Sequence, residues 1–145
     1  MDVVVDDHLL LRVLLKDEPL QLRAPGARLF TTGLWYHRLC RAVATPTVVG
    51  ALSGSLGHVD VATARAAVQA IVSLPEPIGV LSLRELGWSM ARLLGDGVRL
   101  NLMSLEALSA AERLGAELCL AADDENPQLI AAARRRNTQV RILDS

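Results

Sequence analysis

Several common features are missing from this chain of 145 residues, and each absence excludes a class of protein. Although 51% of the residues are hydrophobic, no apolar run approaches the roughly 18 residues that a membrane-spanning helix needs. The start, MDVVVDDH, lacks the basic region and long apolar stretch of a secretory signal, so we expect a cytoplasmic protein with no membrane span. With a net charge of −1, the chain also lacks the positive excess that draws nucleic acid to a whole domain.

Cysteine and lysine are scarce as well. The two cysteines, Cys40 and Cys119, each lie in a predicted helix or strand among apolar neighbours. We therefore expect two buried thiols, and neither a disulfide nor a metal pair. Lys16 is the only lysine in the chain, which limits the functions that need a lysine at a fixed position.

What is present is an alternation of strand and helix patterns. Short apolar or β-branched runs predict strands, and apolar residues at helical spacing between capping residues and glycine or proline predict helices. The predicted strands are residues 3–5, 28–32, 78–81, 118–121 and 140–143. The predicted helices are residues 8–16, 34–44, 61–73, the segment from Ser82 to Gly95 or Gly97, the segment from the Ser104 cap to Leu114, and residues 126–136. Glycines and serines between residues 48 and 58 predict a weak helix or a loop.

Strands that alternate with helices imply right-handed crossovers and a largely parallel sheet. We therefore predict one domain over residues 1–145, an α/β three-layer sandwich with a mainly parallel central sheet. Trp35, Trp88 and Met90 are expected to pack into its core. The hydrophobic composition further predicts a homodimer, or a partner segment that covers apolar helix surface.

Acidic residues follow two of the predicted strands. Asp6 and Asp7 come directly after the first strand, and Asp123 and Asp124 follow the strand at residues 118–121. Because parallel strands end at the same edge of a sheet, these carboxylates should converge there. Singly, each acid is explained by helix capping, but two consecutive acids behind a buried strand repel each other unless a cation, a donor or solvent offsets them.

A third acidic segment is predicted at the same edge. Glu106 lies in the first turn after the Ser104 cap, in a helix that begins on the acidic side of the sheet. Oxygen ligands from three segments suit Mg²⁺ or Mn²⁺, and a metal-bound water can attack a phosphodiester. An arginine that neutralised these carboxylates would remove that chemistry.

The opening VVVDDHLLLRVLL resembles the first strand and turn of response-regulator receiver domains. That family also needs an aspartate that ends its third strand and a lysine that ends its fifth. No aspartate lies between Asp17 and Asp60, and Lys16 stands too early in the chain. The receiver resemblance therefore fails on the chemistry that it requires.

Nearly the whole chain resembles PIN domains, a metal-dependent ribonuclease fold used by many toxins of toxin–antitoxin pairs. The segments that carry the resemblance are IGVLSLRELGWSMARLL, then LMSLEALSAAERLGAELCLAADDENPQLIAAA, and finally VRIL. They match that family's closing helices, strand, acidic turn, helix and strand. The resemblance implies a PIN-like fold, Mg²⁺ or Mn²⁺ as cofactor, an RNA substrate and an antitoxin-like protein partner.

The resemblance assigns site residues position by position. Asp6 matches the family's first metal-binding aspartate, and Asp123 or Asp124 matches its late acidic position. The acid at the start of the Ala-rich helix matches Glu106 by local pattern but Ser104 by its distance to the end of that helix.

The family's glutamate after the second strand falls within TTGLWYHRLCRA, where this chain has His37 and Arg38. Two hypotheses follow. One is a ribonuclease with Asp6, Glu106 and Asp123 or Asp124 around the metal, and the other is a PIN-like module without catalysis that binds a protein or RNA partner. In either case His37 and Arg38 are candidate contacts to RNA phosphate.

Overall fold

The structure, a computed structural model, describes residues 1–45, 56–124 and 126–144. Its centre is a five-stranded sheet in the order β3-β2-β1-β4-β5, and every neighbouring pair of strands is parallel. The strands are β1 (Val3–Val5), β2 (Leu29–Thr32), β3 (Ile78–Leu81), β4 (Glu117–Ala121) and β5 (Val140–Leu143). The predicted parallel α/β sandwich is confirmed.

Six helices flank the sheet in the described part of the chain. They are α1 (Asp7–Leu14), α2 (Gly33–Ala44), α3 (Val61–Val72), α4 (Leu83–Gly95), α5 (Leu102–Leu114) and α6 (Pro127–Arg135). A short 3-10 turn, Ala122–Asp124, follows β4. The helix and strand bounds lie within a few residues of those predicted. Residues 46–55, which hold most of the predicted weak helix or loop, lie outside the described residues.

Capping residues determine where the helices begin. The Asp6 carboxylate accepts the Leu9 amide and caps α1, and Asp60 caps α3 through the Thr63 amide. The predicted cap of α5 is wrong, because Asn101 and not Ser104 occupies that position. The Asn101 side chain accepts the Ser104 amide at 2.8 Å, so the helix begins at Leu102, two residues before the predicted cap. Gly115 ends α5 in the left-handed conformation at φ 61°.

Side chains from both faces of the sheet form separate cores. On one face Val4 packs with residues of α4, α5 and α6, together with Trp35 of α2. On the other face Val3 and Val5 pack with α1, α3 and Leu39 of α2. β1 is the central strand of the sheet, and its side chains alternate between two covered faces, so all of them are buried. A run of three valines suits this position.

The predicted burial of Trp88 is wrong, whereas that of Trp35 and Met90 is confirmed. Trp88 is 78% exposed, because it lies two residues from the buried Leu86 and so faces the opposite side of α4. Cys119 is buried and Cys40 partly buried, and both thiols are free. No helix in residues 1–45, 56–124 or 126–144 has the length and hydrophobicity to cross a bilayer. The predicted homodimer stays a prediction.

Candidate functional site

The parallel sheet brings several polar segments to its carboxyl edge. Asp6 and Asp7 follow β1, the 3-10 turn with Asp123 and Asp124 follows β4, and α2 begins directly after β2. Because β2 and β4 are the two neighbours of β1 in the sheet, these three segments are adjacent in space. The predicted convergence of the first and last acidic segments is confirmed by the contacts described below.

Asp6 is buried and joins the first strand to the end of β4. One carboxylate oxygen accepts the Leu9 amide at 2.9 Å, and the other accepts the Ala121 amide at 2.8 Å. Burial raises the pKa of Asp6 to about 6, against the opposing effect of these hydrogen bonds. The Asp6 carboxylate thus caps α1 and also holds the end of β4 in position.

Arg38 links the other two carboxylates. Its guanidinium binds the buried Asp7 through two nitrogens, with Nη2 to Oδ1 at 2.7 Å, and Nη2 also donates to Asp124. Asp7 has no solvent-exposed side-chain surface, whereas one third of the Arg38 side chain is exposed. The pKa of Arg38 is raised, chiefly by its hydrogen bond to Asp7, so the guanidinium is a permanent cation between the two acids.

His8 lies on the outer side of this cluster. Its Nε2 atom is 3.9 Å from the Asp124 carboxylate. One ligand atom from each of Asp7, His8 and Asp124 falls within 4.8 Å of the others, which is the spacing of residues that hold a metal ion. The sequence singled out Asp7 and Asp124 for this region but gave His8 no ligand role.

The fit of this cluster to a divalent ion depends on Arg38. Carboxylate oxygens and an imidazole nitrogen are suitable ligands for Mn²⁺, and oxygen ligands suit Mg²⁺. In the structure, however, both Asp7 oxygens and one Asp124 oxygen already accept hydrogen bonds from the guanidinium. A cation could bind all three residues only after Arg38 moved away. As arranged, the donor set fits the guanidinium rather than a metal ion.

Glu106 is also buried at this edge, but it serves the start of α2. One carboxylate oxygen accepts the Leu34 amide at 2.8 Å, in the first turn of that helix. A carboxylate at a helix N-terminus is stabilised by the free amides and by the helix dipole. Glu106 therefore has a structural partner, and the metal-ligand role predicted for it stays a prediction.

A cleft of about 240 Å³ opens beside the cluster. Asp6, Arg38 and Asp124 contribute to its wall, together with Ser104 and Asn126. The Asn126 amide nitrogen donates to the Ser104 hydroxyl at 2.6 Å. Of the two positions left open for the acid of the Ala-rich helix, the described lining includes Ser104 and does not include Glu106. A neutral hydroxyl–amide pair thus lines the same cleft as Asp6.

The remaining predicted site residues lie further out. Asp123 is exposed on the 3-10 turn, and His37 is exposed on α2. Arg38 was predicted as a phosphate contact or as a replaced acid, and its actual partners are two carboxylates 31 and 86 residues away in the chain. The spacing of residues within TTGLWYHRLCRA does not reveal contacts with carboxylates so far away in the sequence.

No family model matches this chain, and no curated protein matches it. Among solved structures, the chain is similar to VapBC-1 from nontypeable Haemophilus influenzae, with 18% sequence identity, a TM-score of 0.48 and 98% of each chain covered. At this TM-score and identity the likeness supports no conclusion about family or activity.

Proposed function

We propose that this chain is a PIN-like module that binds a protein partner at the carboxyl edge of its sheet and does not cut RNA there. The observation that supports the proposal is the Arg38 guanidinium, which bonds to both Asp7 and Asp124 where a nuclease would need a divalent cation. The PIN resemblance expects a glutamate in the helix after the second strand, and Arg38 lies in that helix.

The energetics favour retention of this ion pair. Asp7 is fully buried, and a buried carboxylate without its partner carries a large desolvation cost. A divalent ion would have to displace Arg38 and also compensate for the lost bidentate hydrogen bonds. We therefore expect no saturable divalent binding by the wild-type protein.

Charge at the edge indicates the chemistry of the partner. Asp6, Asp7 and Asp124 are gathered at this edge, and Arg38 supplies one positive charge against them. The remaining negative charge disfavours RNA phosphate and favours a lysine or arginine from a partner protein. An antitoxin-like partner with a cationic segment has this chemistry.

Calorimetry with Mn²⁺ tests the first part of the proposal. Wild-type protein should show no saturable binding, whereas Arg38→Met should gain it, because Asp7, His8 and Asp124 then lose the cation that competes with the metal. Arg41→Met, which removes an exposed arginine from the same helix, is the matched control and should behave like wild type. Saturable Mn²⁺ binding by wild-type protein would contradict the proposal.

A short arginine-containing peptide tests the partner chemistry. It should bind at low salt more tightly than an acidic peptide of equal length, and the double change Asp123→Asn and Asp124→Asn should weaken that binding. Equal binding of both peptides, or no effect of the double change, would count against a cationic partner.

A second candidate is the metal-dependent ribonuclease. Its support is the spacing of Asp7, His8 and Asp124, combined with the partial exposure of Arg38, which leaves the guanidinium room to move outward. With Mg²⁺ or Mn²⁺ bound by these residues, the ion would supply an activated water for attack on a phosphodiester. RNA cleavage by purified protein with Mn²⁺, lost in Asp6→Ala, would establish this function and replace the first proposal.

A further inference from the structure

A second cleft, of about 280 Å³, lies between α4, α5 and the residue that follows α6. Helix α4 follows β3 and carries Arg92 in its last turn. Helix α6 follows the turn after β4, and Arg136 comes directly after that helix. The second half of α5 leads into β4. Arg113 and Arg136 each lie four residues before the start of a strand, β4 and β5 respectively. The cleft is therefore at the amino end of the sheet, away from the cluster around Arg38.

Charge in this cleft is only partly matched. Arg136 binds Glu112 through two hydrogen bonds, at 2.6 and 3.0 Å, and lies 3.7 Å from Asp96. Arg92 and Arg113 line the same cleft and are exposed to solvent, and within the described residues no hydrogen bond or ion pair engages their guanidinium groups. The three guanidiniums and two carboxylates of the lining thus leave a net charge of +1, with Arg136 paired to both acids and the two further cations unpaired.

Arg113 has one weaker electrostatic neighbour. The pKa of Glu85 is lowered mainly by hydrogen bonds from Ser82, and Arg113 makes a smaller contribution. Because Glu85 is fully exposed and already accepts two hydrogen bonds from Ser82, this interaction is screened by solvent. The guanidinium of Arg113 keeps its donors available to the cleft.

The buried wall of the cleft carries a hydroxyl that lacks a partner. Ser109 is 1% exposed, and its Oγ atom has no hydrogen-bond partner in the described structure. A buried polar group without a partner is uncommon and costly, and it is often satisfied by a ligand or by water. Ser109 lines the cleft with Arg92 and Arg113, and its hydroxyl, which is closed to solvent as arranged, would have to turn toward the cleft for one ligand to bond to it and to both cations.

From these contacts we propose that the cleft binds a small phosphate-type oxyanion, held by Arg92 and Arg113 and by the Ser109 hydroxyl. Arginine forks match the geometry of phosphate oxygens, and a serine hydroxyl donates to the same kind of acceptor. The volume is just under the roughly 300 to 1,000 Å³ of drug-sized ligand sites, so the ligand is small. This site is independent of the function proposed for the carboxyl edge.

Two electrostatic effects oppose the anion. The carboxylates of Asp96 and Glu112 line the same cleft and repel it, although both are paired with Arg136. The carboxyl ends of helices carry partial negative charge, and arginines in a last turn are common partners for it. That effect accounts for one cation per helix end, and it leaves the Ser109 hydroxyl unexplained. The hydroxyl is the observation that distinguishes a binding site from ordinary neutralisation of helix ends.

Calorimetry on the full chain, with inorganic phosphate as the probe, tests the proposal. Wild-type protein should give saturable binding that sodium chloride of equal ionic strength does not reproduce. Arg92→Gln or Arg113→Gln should weaken binding roughly tenfold or more, the usual effect of removing a charged hydrogen bond. Arg84→Gln, which changes an exposed arginine of α4 outside the cleft, should leave the affinity unchanged.

Ser109→Ala separates the site from a surface charge effect. The change preserves the packing of α5 but removes the hydroxyl, and we expect phosphate binding to weaken roughly tenfold, the loss of one hydrogen bond to a charged acceptor. A thermal-shift series would reveal general salting effects of phosphate, because these persist equally in all the variants. Absence of saturable binding, or affinity unchanged in Arg92→Gln and in Ser109→Ala, would overturn the proposal.

Two ligand sources share this chemistry, namely free phosphate and the phosphate of a nucleotide. Titration with 5′-AMP, with adenosine as control, distinguishes them. Tighter binding of 5′-AMP than of inorganic phosphate assigns the cleft to a phosphorylated metabolite, whereas binding of phosphate alone assigns it to the free ion. Either result supports an oxyanion site.

Discussion

The carboxyl edge of the sheet and the α4–α5 cleft at its amino end both gather charged side chains, but they satisfy them differently. At the carboxyl edge each of the buried acids, Asp6, Asp7 and Glu106, accepts hydrogen bonds from amides or from Arg38. In the cleft, two arginines and the Ser109 hydroxyl are left without such partners among the described residues. The more acidic region is thus the more completely satisfied one, because Arg92 and Arg113 are exposed to solvent and the Ser109 hydroxyl is both buried and without a partner.

This difference reverses what charge alone suggests. Carboxylates at strand ends are the usual starting point for a metal-site hypothesis. Here an internal cation occupies the acidic edge, while the less conspicuous end of the sheet retains unused donors. Three stability measurements test this difference between the two regions, because each removes one satisfied or one unsatisfied group.

The largest effect is expected from Arg38→Met. The change leaves the buried Asp7 carboxylate without its cation, and breaking such a pair typically costs about 3 to 5 kcal/mol. Because one third of the Arg38 side chain is exposed, solvent screening lowers the expected loss to about 3 kcal/mol. Urea unfolding at neutral pH measures this loss.

Two controls sharpen the Arg38 experiment. Arg41→Met, on the same helix but exposed, should cost less than about 1 kcal/mol. Arg38→Lys keeps the charge but not the fork, so it should fall between wild type and Arg38→Met. A loss no greater for Arg38→Met than for Arg41→Met would mean that the carboxyl edge does not depend on its internal cation.

The second effect concerns Asp6 and its pH dependence. Burial raises the pKa of Asp6 from 3.8 to about 6, so the folded state holds the proton more tightly than the unfolded state. The sign follows from linkage. The contribution of Asp6 to stability is fully present below pH 3.8 and is lost as the pH rises through about 6. The loss across that window is on the order of 2 kcal/mol.

Unfolding curves between pH 4.5 and about 7.5, in wild type and in Asp6→Asn, measure this contribution. Asp6→Asn should be less stable overall, because its amide nitrogen faces either the Leu9 or the Ala121 amide. Its stability should also vary less with pH, since the titrating group is gone. Parallel pH profiles for the two proteins would show that Asp6 does not titrate in this window.

The fold could be read from the sequence because its signals are local. Three valines at the start, the Ser82 and Glu85 pair and the glycine at position 115 each define an element within a few residues. The alternation of these elements then determines the parallel sheet through the handedness of the crossovers. The cap of α5 was missed because Asn101 and Ser104 are both good caps, three residues apart, and spacing alone does not choose between them.

The candidate site could be read only in part. Topology was sufficient to bring Asp6 and Asp124 to one cleft, because parallel strands end at the same edge. The partner of a given carboxylate is a matter of side-chain geometry, and Arg38 reaches Asp7 and Asp124 across long sequence separations. The unpartnered hydroxyl of Ser109 likewise has no sequence signal, since a serine on a mainly apolar helix face is common. For Trp88 the sequence did contain a signal, because a residue two positions from Leu86 lies on the opposite face of the helix. The expectation that a tryptophan is buried outweighed that signal.

The smallest effect, and the one of opposite sign, is expected from Ser109→Ala without any ligand. A buried hydroxyl without a hydrogen bond carries a desolvation cost that the unfolded chain does not, and alanine is also the better helix former. The variant should therefore be more stable than wild type by about 1 kcal/mol, measured by urea unfolding in buffer free of phosphate and sulfate.

Ser104→Ala supplies the matched control on the same helix, because the Ser104 hydroxyl accepts a hydrogen bond from Asn126 at 2.6 Å. That change should destabilise the protein by about 1 kcal/mol, since it leaves the Asn126 donor without its partner. Stability changes of opposite sign for these two serines, five residues apart on α5, would confirm that the Ser104 hydroxyl is hydrogen-bonded and that the Ser109 hydroxyl is not. If Ser109→Ala were destabilising as well, the hydroxyl would already have a partner in the free protein, and the cleft would lose the feature that sets it apart from the carboxyl edge.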